Sequence, residues 1–209
     1  MREPAPTVYV VDDDPDVLKA IERLLHSVGL NVATYLSPHQ FLEAYDQDAP
    51  GCLVLDFALP GLSGLELQRV LEQRASLLPI VFLTGRGDIA TSVQAMKHGA
   101  SDFLTKPVDD TALIAAIHEA LARDQALRRG HMEQERIAKC LATLTERERQ
   151  VLELIVSGRL NKEIAAELGT AEKTIKFHRG NLMRKMDVRV LADLVRLAER
   201  AGIGSTPRT

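Results

Sequence analysis

Cysteine is scarce in this 209-residue chain, which holds only Cys52 and Cys140. The two lie far apart and neither belongs to a CxxC pair or a Cys/His cluster, so neither a disulfide framework nor a zinc site is supported. Both are expected to be ordinary packed residues, one in a core strand and one in a helix. Long apolar runs are missing as well. No stretch approaches the roughly 18 consecutive apolar residues of a membrane helix, and MREPAPTVYVV lacks a signal-peptide layout because acids follow its short apolar run at once. A soluble cytoplasmic protein with no membrane partner is expected. The chain has no internal repeat and no low-complexity tract, and its 45% hydrophobic content supports real cores rather than disorder.

Net charge is a modest −3, but it is unevenly spread. Residues 1–124 carry 9 Lys/Arg against 18 Asp/Glu, a balance of −9, while residues 125–209 carry 17 against 11, a balance of +6. Such a split suggests two domains with different partners, the basic one being the candidate for nucleic acid.

The first 124 residues alternate strand-type runs with helical patterns. TVYVVD (7–12), NVATY (31–35), CLVLD (52–56), PIVFLT (79–84) and SDFLTK (101–106) are each followed by an amphipathic segment, the fourth being IATSVQAMKHG (89–99) and the fifth DTALIAAIHEALAR (110–123). Five βα units in a row predict a parallel, doubly wound sheet with helices on both faces, in the flavodoxin-like order 2-1-3-4-5. After Arg123 the strands stop. Residues 125–142 are polar and helix-compatible, with Gly130 as the only breaker, and are expected to form a helical interdomain linker. From 143 to 209 only short helices are predicted, as a small all-α four-helix domain.

In an open α/β sheet, ligands bind beyond the carboxyl ends of the strands, near the point where strand order reverses. Strand one ends in Asp12-Asp13-Asp14, strand three in Asp56, strand four in Thr84 and strand five in Lys106-Pro107. Taken singly, an Asp after a strand is most often a turn or cap residue, and a lone one serves equally as a metal ligand or a nucleophile. Together on one edge these residues form something more specific. Clustered carboxylates repel unless a cation sits among them, and an all-oxygen set suits Mg²⁺. Magnesium beside an Asp, a hydroxyl and a lysine is a phosphoryl-transfer constellation. Asp14, followed by Pro15, is expected to cap the first helix, and Ser63 the third. Gly85-Arg86-Gly87 lacks phosphate-loop spacing and reads as a loop.

VVDDD (10–14), LVLDFALPGLSGLEL (53–67), VFLTGRGD (81–88) and AMKHGASDFLTKP (95–107) resemble the receiver domain of two-component response regulators. The resemblance implies that Asp56 is the phospho-acceptor, and that magnesium is held by Asp13 directly, by Asp12 largely through water, by Asp56 and by the backbone carbonyl of Ala58. It implies that Thr84 and Lys106 contact the transferred phosphoryl group, that Phe103 is a switch aromatic coupled to Thr84, and that Lys106-Pro107 is a cis peptide. Ala58 and Arg86 occupy positions that vary in the family and influence how fast water reaches the acyl phosphate.

In the C-terminal part, Thr145 and Glu148 have capping-box spacing. The helix after them is expected to bury Val151, Leu152, Ile155 and Val156. Asn161 is placed to cap a second helix whose Ile164, Ala165 and Leu168 face inward, and Gly169 to end it. A longer basic helix follows, which is the helix-turn-helix plan. Residues 171–189 carry Lys173, Lys176, Arg179, Arg184, Lys185 and Arg189 against Glu172 and Asp187, a balance of +4 suited to phosphates. A basic helix face alone is more often merely solvated. LTERERQVLELIVSGRLNKEIAAELGTAEKTIKFHRGNLMRKMDV (144–188), however, resembles the LuxR-type four-helix DNA-binding domain, and with the receiver in front the whole is similar to the FixJ/NarL class of regulators, closest to the FixJ type. By that resemblance Lys173, Thr174, Lys176, Phe177 and Arg179 face DNA, with Arg184 and Lys185 among the further DNA-binding residues, while Ile175 and Leu182 anchor the helix. The family's usual Ser/Thr cap before this helix is replaced by Ala171.

The resemblance implies a DNA-binding response regulator, not an enzyme. By that resemblance a sensor histidine kinase is expected to phosphorylate it on Asp56, and dimerisation is expected through the helix after strand four, strand five and the helix after it. The homodimer is then expected to bind promoter half-sites and regulate transcription, as an activator working with RNA polymerase. Two other readings compete. A phosphohydrolase with Asp56 as nucleophile, of the haloacid dehalogenase type, wants a second acid where this chain has Ala58. A DNA-binding protein with a vestigial receiver fits poorly with so complete a pocket.

Overall fold

The pleat of β3 (Gly51–Asp56) sets the layout of the N-terminal half, because all six of its residues are buried and successive side chains must serve opposite faces of the sheet. In the computed structural model, which describes residues 5–85 and 99–204, β3 lies between β1 (Thr7–Val11) and β4 (Ile80–Thr84). With β2 (Asn31–Tyr35) and β5 (Asp102–Thr105) on the edges, the order is β2-β1-β3-β4-β5, and every pair is parallel. This is the doubly wound sheet and the order that the βα pattern predicts.

Alternation divides the core in two. Tyr9, Val11, Leu53, Leu55, Ile80 and Phe82 pack on one face with Phe41 of α2 (Pro38–Ala44) and Leu67 and Leu71 of α3 (Gly64–Gln73). Val8, Val10, Cys52, Val54, Val81 and Leu83 pack on the other with Leu18, Ile21 and Leu25 of α1 (Pro15–Ser27) and Leu113 and Ile117 of α4 (Asp110–Ala142). Arg86 and residues 89–98 of the predicted helix lie outside the described residues.

Local signals account for the helix starts. The Asp14 carboxylate accepts from the Asp16 amide at 2.8 Å with Pro15 in the first turn. Ser63 and Glu66 close a reciprocal capping box at α3, as Thr145 and Glu148 do at α5 (Glu146–Val156). Gly64 has a packing reason to be glycine, since a Cβ there would lie 2.9 Å from the Asp56 carbonyl oxygen and 3.0 Å from the Phe82 ring.

α4 runs through Gly130 to Ala142, so the linker segment is helical. A mid-helix glycine costs only about 1 kcal/mol relative to alanine. The pairs Glu133–Arg136 and Glu135–Lys139 offset part of that in the following turns. Asn161 does not cap α6 (Asn161–Glu167). The cap position falls on Leu160, and the Glu163 carboxylate accepts from its backbone N–H at 2.8 Å. Asn161 Oδ1 instead accepts a hydrogen bond from the Arg179 guanidinium.

The chain divides into two compact units, residues 1–129 and 130–209. In the second, α5, α6, α7 (Glu172–Lys185) and α8 (Leu191–Arg200) surround Val151, Leu152, Ile155, Ile164, Ile175, Leu182 and Leu194, with Ile137 buried among them. Val156 and Leu168 are half-buried at its margin. Gly169, at φ +61°, lets the chain turn from α6 into α7. Among the described residues no helix is long and apolar enough to cross a membrane.

Candidate functional site

The same alternation that builds the two cores gathers the polar strand ends. Asp12 continues the Val8–Val10 series, Asp56 the Cys52–Val54 series, and Lys106 follows Leu104, all on the face that carries α1 and α4. Lys106 Nζ stands 2.6 Å from Asp12 Oδ2 and 2.9 Å from Asp56 Oδ1. Asp12 and Asp56 are buried, while Asp13 is exposed. Each of the three acids offers a carboxylate oxygen, and these atoms lie within 4.8 Å of one another. Asp12 Oδ1 also accepts from the Asp14 amide at 2.9 Å. Burial pulls the Lys106 ammonium toward a lower pKa, but its hydrogen bonds and Coulombic attraction to Asp12 and Asp56 outweigh this and raise it.

The opposite phase holds the other two predicted residues. Thr84 is buried at the end of β4, and its carbonyl accepts from the Lys106 amide at 2.6 Å. Phe103 is half-buried, with its ring 6.1 Å from Phe57 and 6.2 Å from Phe82. Lys106-Pro107 is a cis peptide, as the family resemblance implies. Ala58 is exposed two residues beyond Asp56.

A buried network at the other end of β3 escaped sequence reasoning. Asp124 accepts from the Gly51 amide at 3.0 Å and from Arg128 Nε at 2.9 and 3.0 Å, and the Arg128 guanidinium also donates to the carbonyls of Gln47, Asp48 and Ala49. Gly51 admits no side chain there, since a Cβ would fall 2.1 Å from the Thr7 carbonyl oxygen. The i, i+4 spacing of Asp124 and Arg128 was the only sequence signal, and it does not distinguish a buried pair from a solvated one.

In the second unit, the basic helix α7 is held by Ile175 and Leu182, both fully buried. Lys173, Lys176, Phe177 and Arg184 are exposed, and Thr174 is half-buried. Phe177 is 66% exposed, an unusual position for a phenylalanine unless a partner covers it. Ala171 occupies the cap position with no side-chain bond. Two predicted DNA-facing cations are engaged internally. Arg179 holds Asn161, and Lys185 Nζ lies 2.6 Å from Glu148 Oε2 and 2.8 Å from the Thr143 carbonyl oxygen.

Comparison with known proteins agrees with both halves. Residues 8–118 match the response regulator receiver domain, and residues 142–198 match the bacterial regulatory proteins of the luxR family. Nodulation protein W of Bradyrhizobium diazoefficiens is 43% identical over 198 residues, covering 95% of this chain and 87% of the relative. Transcriptional regulatory protein FixJ of Azorhizobium caulinodans is 43% identical over 196 residues, covering 94% and 93%. Response regulator protein TodT of Pseudomonas putida is 42% identical over 200 residues, covering 96% and 88%. Among solved structures, response regulator StyR superposes with a TM-score of 0.87 at 46% identity over 94% of this chain and 100% of that one. Full-length FixJ from B. japonicum gives 0.58 at 40% identity, covering 94% and 97%. The acidic strand-end cluster and the basic helix thus sit in the two domains where such regulators take their signal and bind DNA, and the chain belongs to the two-component response regulators that join a receiver to a LuxR-type DNA-binding domain.

Proposed function

We propose that this protein is a phosphorylation-switched transcription factor, active in the cytoplasm, that accepts a phosphoryl group on Asp56 from a sensor histidine kinase. The observation that carries this assignment is the Lys106 ammonium held between Asp12 and Asp56 at the carboxyl edge of the sheet. An Asp56 carboxylate oxygen forms the new P–O bond as the donor's P–N bond breaks, and the departing imidazole takes up a proton. Lys106 pairs with the transferred oxygens, and the Thr84 hydroxyl binds one of them. Thr84 moves toward that oxygen, and Phe103, on the same face, turns inward in response.

The donor set fits a hard divalent cation: the carboxylates of Asp12, Asp13 and Asp56 lie within reach of one another, and the backbone carbonyl of Ala58 is the further ligand this reading assigns. Bound there, magnesium supplies positive charge against the oxygens of the phosphoryl group. The protein acts as a regulator rather than a turnover enzyme, since Ala58 stands where a phosphohydrolase of the haloacid dehalogenase type carries its second acid.

Phosphorylation promotes a homodimer through a face that includes β5 and the start of α4. The dimer sets two copies of α7 on promoter half-sites and engages RNA polymerase as an activator. Lys173, Thr174, Lys176, Phe177 and Arg184 face the DNA, Phe177 as an apolar reader of thymine methyls. Incubation with acetyl phosphate and magnesium, followed by mass spectrometry, should place one phosphoryl group on Asp56 and none on the Asp56→Asn variant. Labelling, dimer formation and DNA affinity that are unchanged in that variant would refute the switch.

A further inference from the structure

Resting on the assignment of α7 as the DNA-facing helix, we propose that Lys185 is not a phosphate contact but a positioning residue that sets where the recognition helix lies. Lys185 Nζ donates to Glu148 Oε2 at 2.6 Å and to the Thr143 carbonyl at 2.8 Å, so two of its three N–H groups are committed within the domain. The same Glu148 oxygen accepts from the Thr145 amide at 2.9 Å and from Thr145 Oγ1 at 3.0 Å. One carboxylate thus serves both the capping box that starts α5 and the last turn of α7.

Burial separates this lysine from its neighbours. The Lys185 side chain is 26% exposed and that of Glu148 5%, whereas Lys176 is 65% exposed against a Glu172 that is 49% exposed. A lysine that neutralises a DNA phosphate must leave its ammonium free to release counterions on binding. Lys185 already faces a buried counter-charge, and moving it to a phosphate would leave Glu148 buried and unpaired.

Thr143 closes the junction. It lies just beyond Ala142, with its amide and hydroxyl donating to the Cys140 carbonyl at 3.1 and 2.7 Å. Lys185 therefore ties the end of α7 to both the end of α4 and the start of α5. Elsewhere Arg179 holds α7 to Asn161, and Arg147 donates to the Leu168 carbonyl at the turn between the two helices. Cationic side chains that charge counting assigns to DNA thus hold the recognition helix in place.

The test measures binding of the full chain to a labelled random-sequence duplex over roughly 50 to 200 mM salt. Lys176→Gln should flatten the logarithmic salt dependence by about 0.9, as loss of one phosphate contact does. Lys185→Gln should weaken binding about tenfold at every salt concentration with the slope unchanged. Glu148→Gln should weaken it similarly despite removing a negative charge, and the double variant should be no worse than either single one. Glutamine still completes the capping box, so Glu148→Gln keeps the test open if Lys185→Gln misfolds. A Lys185→Gln slope that flattens like that of Lys176→Gln, or tighter binding by Glu148→Gln, overturns the proposal. Failure of the wild-type chain to bind any duplex, or a Lys176→Gln slope that does not change, overturns the DNA-facing assignment itself and the positioning role with it.

Discussion

Asp12 and Asp56, at the ends of neighbouring strands, are joined through a single ammonium, with Lys106 2.6 Å from one and 2.9 Å from the other. Replacing Lys106 with methionine leaves two buried carboxylates facing each other. The receiver should lose about 1–3 kcal/mol in urea unfolding. Magnesium should then stabilise the variant more than the wild type, since the metal replaces the missing charge. Because the folded-state pKa of Lys106 is raised, its stabilisation is complete below the ordinary lysine value of 10.5 and fades as pH rises through the folded value. Wild type and variant should therefore converge in strong alkali.

Glu148 behaves in the opposite sense. Burial pushes its carboxyl up, but Lys185 and Thr145 outweigh this and lower its pKa below the ordinary 4.5. Its contribution is present above that value and is lost as pH falls through the folded pKa. Glu148→Gln should be less stable than wild type near neutrality, and the gap should close under acid, as thermal melts from about pH 7 to pH 3 would reveal.

Breaking the Asp124–Arg128 pair from either side should be costly. Asp124 is 1% exposed, and removing one member of a buried pair costs about 3–5 kcal/mol. Arg128→Met and Asp124→Asn should each lower the urea midpoint of the receiver, and the double variant should lose less than the two combined.

Gly64→Ala should cost about 1–3 kcal/mol by overpacking, since the new Cβ meets the Asp56 carbonyl and the Phe82 ring. The same variant should slow acetyl-phosphate labelling, because the crowding falls on the backbone of the acceptor itself. Gly61→Ala, with open space but a φ of +83°, should destabilise the turn without slowing labelling beyond that loss.

Cys52 should resist thiol reagents in the native protein. It is fully buried, and its pKa is pushed up to about 12 by burial, with the charge of Asp124 adding to the effect. Labelling that tracks global unfolding in urea would match this, and labelling that is faster than unfolding would contradict it.

What was legible in the sequence was local or periodic. Cys52 to Leu55 could be read as a strand covered on both faces because a continuous apolar run has few other uses, and that placed Asp56 at the sheet edge. The capping box at Thr145 and the helix cap at Ser63 are legible because such signals are local, the box partners lying only three residues apart. Long-range pairing was not. Lys185 looked like a DNA contact because its partner, Glu148, is 37 residues away and had already been assigned to a cap. Asp124 carries no sequence signal of its burial, because nothing near it reveals the Gly51 amide, 73 residues away, that it accepts from. Asn161 was misplaced by one position, and only the Glu163 bond to Leu160 shows where the helix begins.

The pleat that splits the core also makes the site intolerant of slippage. Asp12, Asp56 and Lys106 belong to one phase of their strands, Thr84 and Phe103 to the other. Inserting or deleting a single residue within β3 would turn Asp56 toward α3, away from its lysine, while every strand kept its composition. Length is therefore under tighter constraint than identity along these strands. A valine exchanged for an isoleucine should be forgiven where an added alanine is not.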